Sequence, residues 1–154
     1  MAKKILNEMR LKFPSLSENE RLARVAISGF AALYDPMIDE LSDIKTAVSE
    51  AVTNSIVHGY RSSVGDIELV ARIFEEGTVY IRIKDKGVGI ADIKQAMTPL
   101  FTTLPEEERS GLGFSVMESF CDSVRVTSKV GVGTTVVLTK KLKTKLREKN
   151  VYGK

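Results

Sequence analysis

The chain has 154 residues, 43% of them hydrophobic, enough to bury one continuous core without disulfides or a structural metal. Its one cysteine, Cys121, cannot pair within the chain and its one histidine leaves no Cys/His zinc cluster, so disulfide scaffolds and zinc modules drop out. The net charge of +3 hides an asymmetry, since Lys140, Lys141, Lys143, Lys145, Arg147, Lys149 and Lys154 face Glu148 alone at the C-terminal end. That run reads as a solvated or frayed tail over 140–154, behind a single domain over 1–139. The start lacks an apolar signal core and no run of about 18 apolar residues occurs, so a cytoplasmic, non-membrane protein is expected.

Met9, Leu11 and Phe13 alternate with charged residues before Pro14, which predicts a short half-buried strand. Ser17 and Glu20 have capping-box spacing, and Leu22, Val25, Ala26, Phe30 and Leu33 follow at helical spacing until Asp35-Pro36. A second helix is predicted from about Leu41 to His58. Its apolar set is Ile44, Ala47, Val48, Ala51, Val52 and Ile56, and Gly59 serves as its stop. Ile67 to Ile73 and Val79 to Ile83 alternate around Glu75-Glu76-Gly77, the pattern of an antiparallel hairpin. Ile93 to Met97 predicts a short helix, and Thr98 to Ser110, with two prolines and an acidic run, predicts a lid-like loop. A helix over Gly113 to Phe120, a strand through Val124 and Val126, a Gly131/Gly133 turn and a strand over Thr134 to Thr139 complete the chain. The expected class is α+β, a helical layer on one face of a mixed, mainly antiparallel sheet.

Chemistry concentrates at four places. Glu50, Asn54 and His58 stand four residues apart on one helix, forming a polar ridge beside the apolar stripe. A rigidly held carboxylate such as Glu50 suits a general base, and the Asn54 amide oxygen is a donor that Mg²⁺ accepts alongside phosphates and waters. Asp85 ends a strand before Gly87 and Gly89, where a carboxylate can accept a hydrogen bond from an exocyclic amine while the chain bends round a ring. Gly111 and Gly113 precede a helix, whose free N–H groups suit phosphate. Gly131-Val-Gly133-Thr134 reads mainly as a hairpin turn. His58 is read as structural and Cys121 as core. Neither a P-loop nor a eukaryotic protein-kinase catalytic loop is present.

In this order, Glu50-x-x-x-Asn54, Asp85-x-Gly87-x-Gly89, Gly111-x-Gly113 and Gly133-Thr134 resemble the N, G1, G2 and G3 boxes of the GHKL ATPase/kinase superfamily, with its Bergerat fold, a two-layer α/β sandwich. The stretches Ser49 to Gly59, Pro99 to Thr103 and Glu108 to Phe114 are similar to the anti-sigma factors of spore-forming bacilli within it. The resemblance implies binding of ATP or ADP with Mg²⁺ and dimeric sequestration of a sporulation sigma factor. It also implies phosphorylation of a serine on an anti-anti-sigma partner. It makes Glu50 the base, Asn54 the magnesium ligand and Asp85 the adenine acceptor, with Thr134 nearby. Gly87, Gly89, Gly111, Leu112 and Gly113 would border the nucleotide. Thr102, Thr103, Arg109 and Ser110 would reach its phosphates, Arg109 as the catalytic cation, because phosphoryl transfer spreads charge over the equatorial oxygens. Arg24, with Glu20 beside it, would contact the protein partner. The short lid points to slow or partner-dependent turnover, and the lack of a phosphoacceptor helix and of a transducer domain argues against histidine autophosphorylation. A nucleotide-gated binding module without transfer is the alternative, and neither a membrane nor direct nucleic-acid contact is expected.

Overall fold

The computed structural model describes residues 3–98 and 113–144. Its order is β1 (Ile5–Pro14), α1 (Asn19–Ala32), α2 (Ile38–Asn54), a π-helical turn (Ser55–Tyr60), β2 (Asp66–Phe74), β3 (Thr78–Asp85), α3 (Ile93–Ala96), α4 (Gly113–Phe120), β4 (Ser123–Lys129) and β5 (Gly133–Lys141). The strands form one five-stranded sheet in the order β1-β2-β3-β5-β4. All four pairings are antiparallel, so the parallel pair that a mixed sheet allows is not found among the described residues.

Alternation decides which face is covered. Ile67, Leu69, Ala71 and Ile73 of β2 lie in register with Val79, Ile81 and Ile83 of β3 and with Phe13, Leu11 and Met9 of β1, and this face carries the helices. The other face is charged. Glu8 meets both Arg10 and Arg72, Glu68 meets Arg82, and the Arg72 guanidinium lies 5.5 Å from the centre of the Tyr80 ring. These two guanidinium groups hold the Glu8 carboxyl below its ordinary value, Arg72 most strongly.

The helical layer centres on α2, packed between α1 and α4. Its buried stripe, Ile44, Ala47, Val48, Ala51 and Val52, matches the predicted periodicity. For α1 the expected face holds only in part: Phe30 is buried as expected, but the core face is rotated from the rest of the set. Leu22, Val25 and Leu33 are 46%, 64% and 61% exposed, while Ala23, Ile27, Phe30 and Ala31 face the core. Apolar residues occur at helical spacing on two sides of α1, and periodicity alone does not choose between them. The capping box is also replaced. No side chain caps α1, and Glu20 instead accepts a hydrogen bond from the Ser49 hydroxyl of α2.

Two boundaries move for packing reasons. Gly59 does not stop the helix, which runs on through the π-helical turn to Tyr60. β5 passes the expected domain limit at 139: Lys140 sits in the strand, its Nζ 3.1 Å from Asp43 and 2.7 Å from the Phe120 carbonyl oxygen, and Leu142 is buried. The basic run thus begins inside the domain, and 145–154 lie outside the described residues.

Candidate functional site

A cavity of about 340 Å³ opens between the C-terminal end of α2, the loop after β3, α3, and the start of β5. Its geometry begins with Asp85. As the last residue of β3 on the inward face, this carboxylate points into the helical layer and is only 4% exposed. It is held by Ser55, whose hydroxyl donates to Oδ2 at 2.7 Å, and by the N–H groups of Gly87 and Thr134, which donate to Oδ1 at 2.9 and 3.3 Å. Three of the roughly four acceptor positions of a carboxylate are thereby used. The π-helical turn that begins at Ser55 widens the helix at this point, a distortion that recurs at functional sites.

The glycines here admit protein backbone before they admit a ligand. A Cβ on Gly87 would lie 2.2 Å from the Gly59 carbonyl oxygen, and one on Gly133 would lie 2.1 Å from the Asp85 carbonyl oxygen. A Cβ on Gly89, whose φ is +80°, would lie 2.3 Å from the Lys129 carbonyl oxygen. Of these three only Gly89 lines the cavity, while Gly87 seats the β3 loop on the helix. Gly131, with nothing within 4 Å of a Cβ, shapes its turn, and its N–H donates to the Val88 carbonyl oxygen at 2.8 Å.

Asn54 lines the other end of the cavity. A Cβ on Gly113, the first residue of α4, would lie 3.0 Å from both its amide atoms, so that glycine lets α4 begin directly against the Asn54 side chain. Glu50, half-buried one turn earlier on α2, is outside the lining. His58 does line the cavity, within the π-helical turn. Thr134 lines it with its hydroxyl 2.7 Å from Ser128 Oγ, which also accepts the Ile90 N–H at 2.7 Å. Arg24 pairs with Glu20 along α1 at 3.5 Å, away from the cavity. Thr102, Thr103, Arg109, Ser110, Gly111 and Leu112 lie outside the described residues. Cys121 is half-buried, and burial pushes its thiol from 9.0 up to about 11, which suits a packing role better than a nucleophilic one.

Three residues that carry the site escaped sequence reasoning. Ser55 was legible only as a polar residue on a helix face otherwise apolar. The Tyr60 hydroxyl accepts the Lys86 N–H at 2.7 Å and donates to the Asp66 carbonyl oxygen at 2.5 Å, tying the start of β2 and the residue after β3 to the end of the π-helical turn. Burial raises the pKa of this phenol and keeps it a donor. Arg61, next in the chain, also lines the cavity.

Residues 13–140 match the histidine kinase-like ATPase domain family. An anti-sigma F factor of Geobacillus sp. (strain WCH70) is 55% identical over 134 residues, 87% of this chain and 92% of that protein. The anti-sigma F factor of Bacillus subtilis (strain 168) is 51% identical over 136 residues, 88% of this chain and 93% of its own length. The chain belongs to the anti-sigma F factor family. The fold of this family member also resembles the crystal structure of the RsbU and RsbW domains of a Mycobacterium tuberculosis protein. The TM-score there is 0.64 at 20% identity, covering 88% of this chain and 32% of that one. The GHKL resemblance and the α+β class both hold. Among the described residues of this anti-sigma F family member, no helix is long and apolar enough to cross a membrane.

Proposed function

We propose that this family member sequesters a sigma factor and phosphorylates a serine of an anti-anti-sigma protein from ATP. The observation that carries the nucleotide part is Asp85: a buried carboxylate, fixed by Ser55, Gly87 and Thr134, in the lining of a cavity of suitable size. Its remaining acceptor capacity takes a hydrogen bond from the exocyclic amine of adenine. Family membership supports ATP and ADP as the ligands.

Asn54 holds Mg²⁺. Its amide oxygen would bind the ion together with phosphates and waters. When bound, the ion neutralises charge on the phosphates. Glu50 takes the proton of the incoming serine hydroxyl as its oxygen bonds to the γ-phosphorus and the bond to the β-phosphate oxygen breaks, releasing ADP. Arg109 offsets charge on the transferring group, with Thr102, Thr103, Ser110, Gly111, Leu112 and Gly113 around the phosphates. Thr134 and Gly89 border the base.

Partner contact is assigned to Glu20 and Arg24. The exposed stripe Leu22, Val25 and Leu33 on the same helix supports a homodimer, because burying it removes apolar surface that the single chain leaves in water. The 1–139 domain is extended through Leu142, and a cytoplasmic location suits a sigma-factor partner.

One observation favours the alternative of a nucleotide-gated binding module, namely that Glu50 stands outside the cavity lining. The two separate by mass spectrometry with Mg-ATP and an anti-anti-sigma protein. Under the kinase reading Glu50→Gln lowers phosphoserine formation by about 10²–10⁴-fold, the usual worth of a general base, while ATP affinity is preserved. Nucleotide binding without transfer by either form would establish the gated module and remove the kinase.

A further inference from the structure

The π-helical turn ends on Arg61, whose backbone has φ 55° and ψ −115°. A long side chain in this left-handed region is sterically disfavoured and persists where the surroundings impose it, often beside a ligand site. The surroundings here are explicit. Gly59 is pressed between Gly87 and Asp85, and the Tyr60 hydroxyl is fixed by Lys86 and Asp66, so the chain must turn at the next residue. The turn brings Arg61 into the lining of the cavity, where it is the only arginine or lysine among the described lining residues. It is exposed, and it forms no ion pair with another described residue.

Its place along the cavity identifies its task. One end is marked by Asn54 against Gly113, and the other by Asp85 against Gly59, where a Cβ would lie 3.1 Å from the carboxylate. The chain from Asn54 through Gly59 to Arg61 runs from the first end to the second and beyond it. A cation that served phosphates would stand near Asn54, whereas Arg61 follows directly on Gly59 and Tyr60, which pack against Asp85 and Lys86.

We propose that Arg61 is a base-recognition residue, its guanidinium lying flat against the purine where the ring meets the cavity mouth. A guanidinium is planar, delocalised and weakly hydrated, so it stacks on an aromatic face in a way that an ammonium cannot. Asp85 then reads the edge of the base while Arg61 covers its face. The proposal rests on reading the cavity as an adenine-nucleotide site.

Adenosine, ADP and ATP are titrated by equilibrium competition against the intact protein, Arg61→Ala, Arg61→Lys and Arg61→Gly. Base contact predicts that Arg61→Ala weakens all three ligands by one common factor of about 2- to 5-fold, the scale of an exposed cation–π contact. It predicts that Arg61→Lys recovers little of this. Arg61→Gly relieves the positive φ and shows the same loss as Arg61→Ala, with a melting temperature at or above the parent's, which separates ligand contact from backbone strain. A loss that grows from adenosine to ATP, no loss, or full recovery by lysine overturns the proposal. Failure of the intact protein to bind any of the three would instead remove the nucleotide reading on which the proposal rests.

Discussion

Among the described residues two carboxylates are buried, Asp85 at 4% exposure and Glu40 at 3%, and they do different work. Glu40, in the first turn of α2, accepts the Met37 N–H at 2.8 Å and the Lys143 N–H at 3.0 Å, clamping the start of α2 to the segment after β5. Asp85 makes the same kind of bonds, to two backbone N–H groups and one hydroxyl, but at the wall of a cavity. Burial and hydrogen bonding therefore do not by themselves mark a functional carboxylate. The neighbours decide: Glu40 is closed in by its own chain, whereas Gly59 leaves space beside Asp85 that any larger residue would fill.

The sharpest break in the comparison is Gly133→Ala. The added methyl would meet the Asp85 carbonyl oxygen at 2.1 Å from a residue with φ +140°, so unfolding is expected to become easier by about 3 kcal/mol or more, read as a fall in the urea midpoint. A loss below about 1 kcal/mol would show that the β3–β5 seat is loose. Next comes a crossed pair. Asp85→Asn is expected to lower nucleotide affinity about 10- to 100-fold, whereas Glu40→Gln costs about 1–3 kcal/mol of stability and leaves affinity within about 2-fold. Equal effects of both on affinity would erase the distinction between clamp and site. The smallest effect is expected of Ser55→Ala, about 1 kcal/mol in stability and a few-fold in nucleotide affinity, through release of one of the three bonds that orient Asp85. Calorimetric titration beside a denaturation curve reads both quantities, and no change in affinity would make Ser55 a stability residue alone.

The elements themselves were legible because their signals are local. The α2 stripe, the alternation of β2 and β3 and the turn at Gly77 follow from residues a few positions apart, and β1 was detected though drawn shorter than its ten residues. Asp85 and Asn54 were legible as candidates because their residue types and spacing are rare together. Ser55, Tyr60 and Arg61 were not, since each acts on residues reached only after folding.

What the sequence determined alone is thus the helix and strand periodicity, one domain with an acidic bias offset by a basic end, and the order of the glycine pairs. Tertiary structure decided which face of α1 turns inward, that Gly87 and Gly133 admit backbone, and that Lys140 and Leu142 belong to the domain. The physical reason is range. A period of 3.6 or 2 residues is set within a segment, but a 2.2 Å conflict between Gly87 and Gly59 exists only once segments 28 positions apart are packed together.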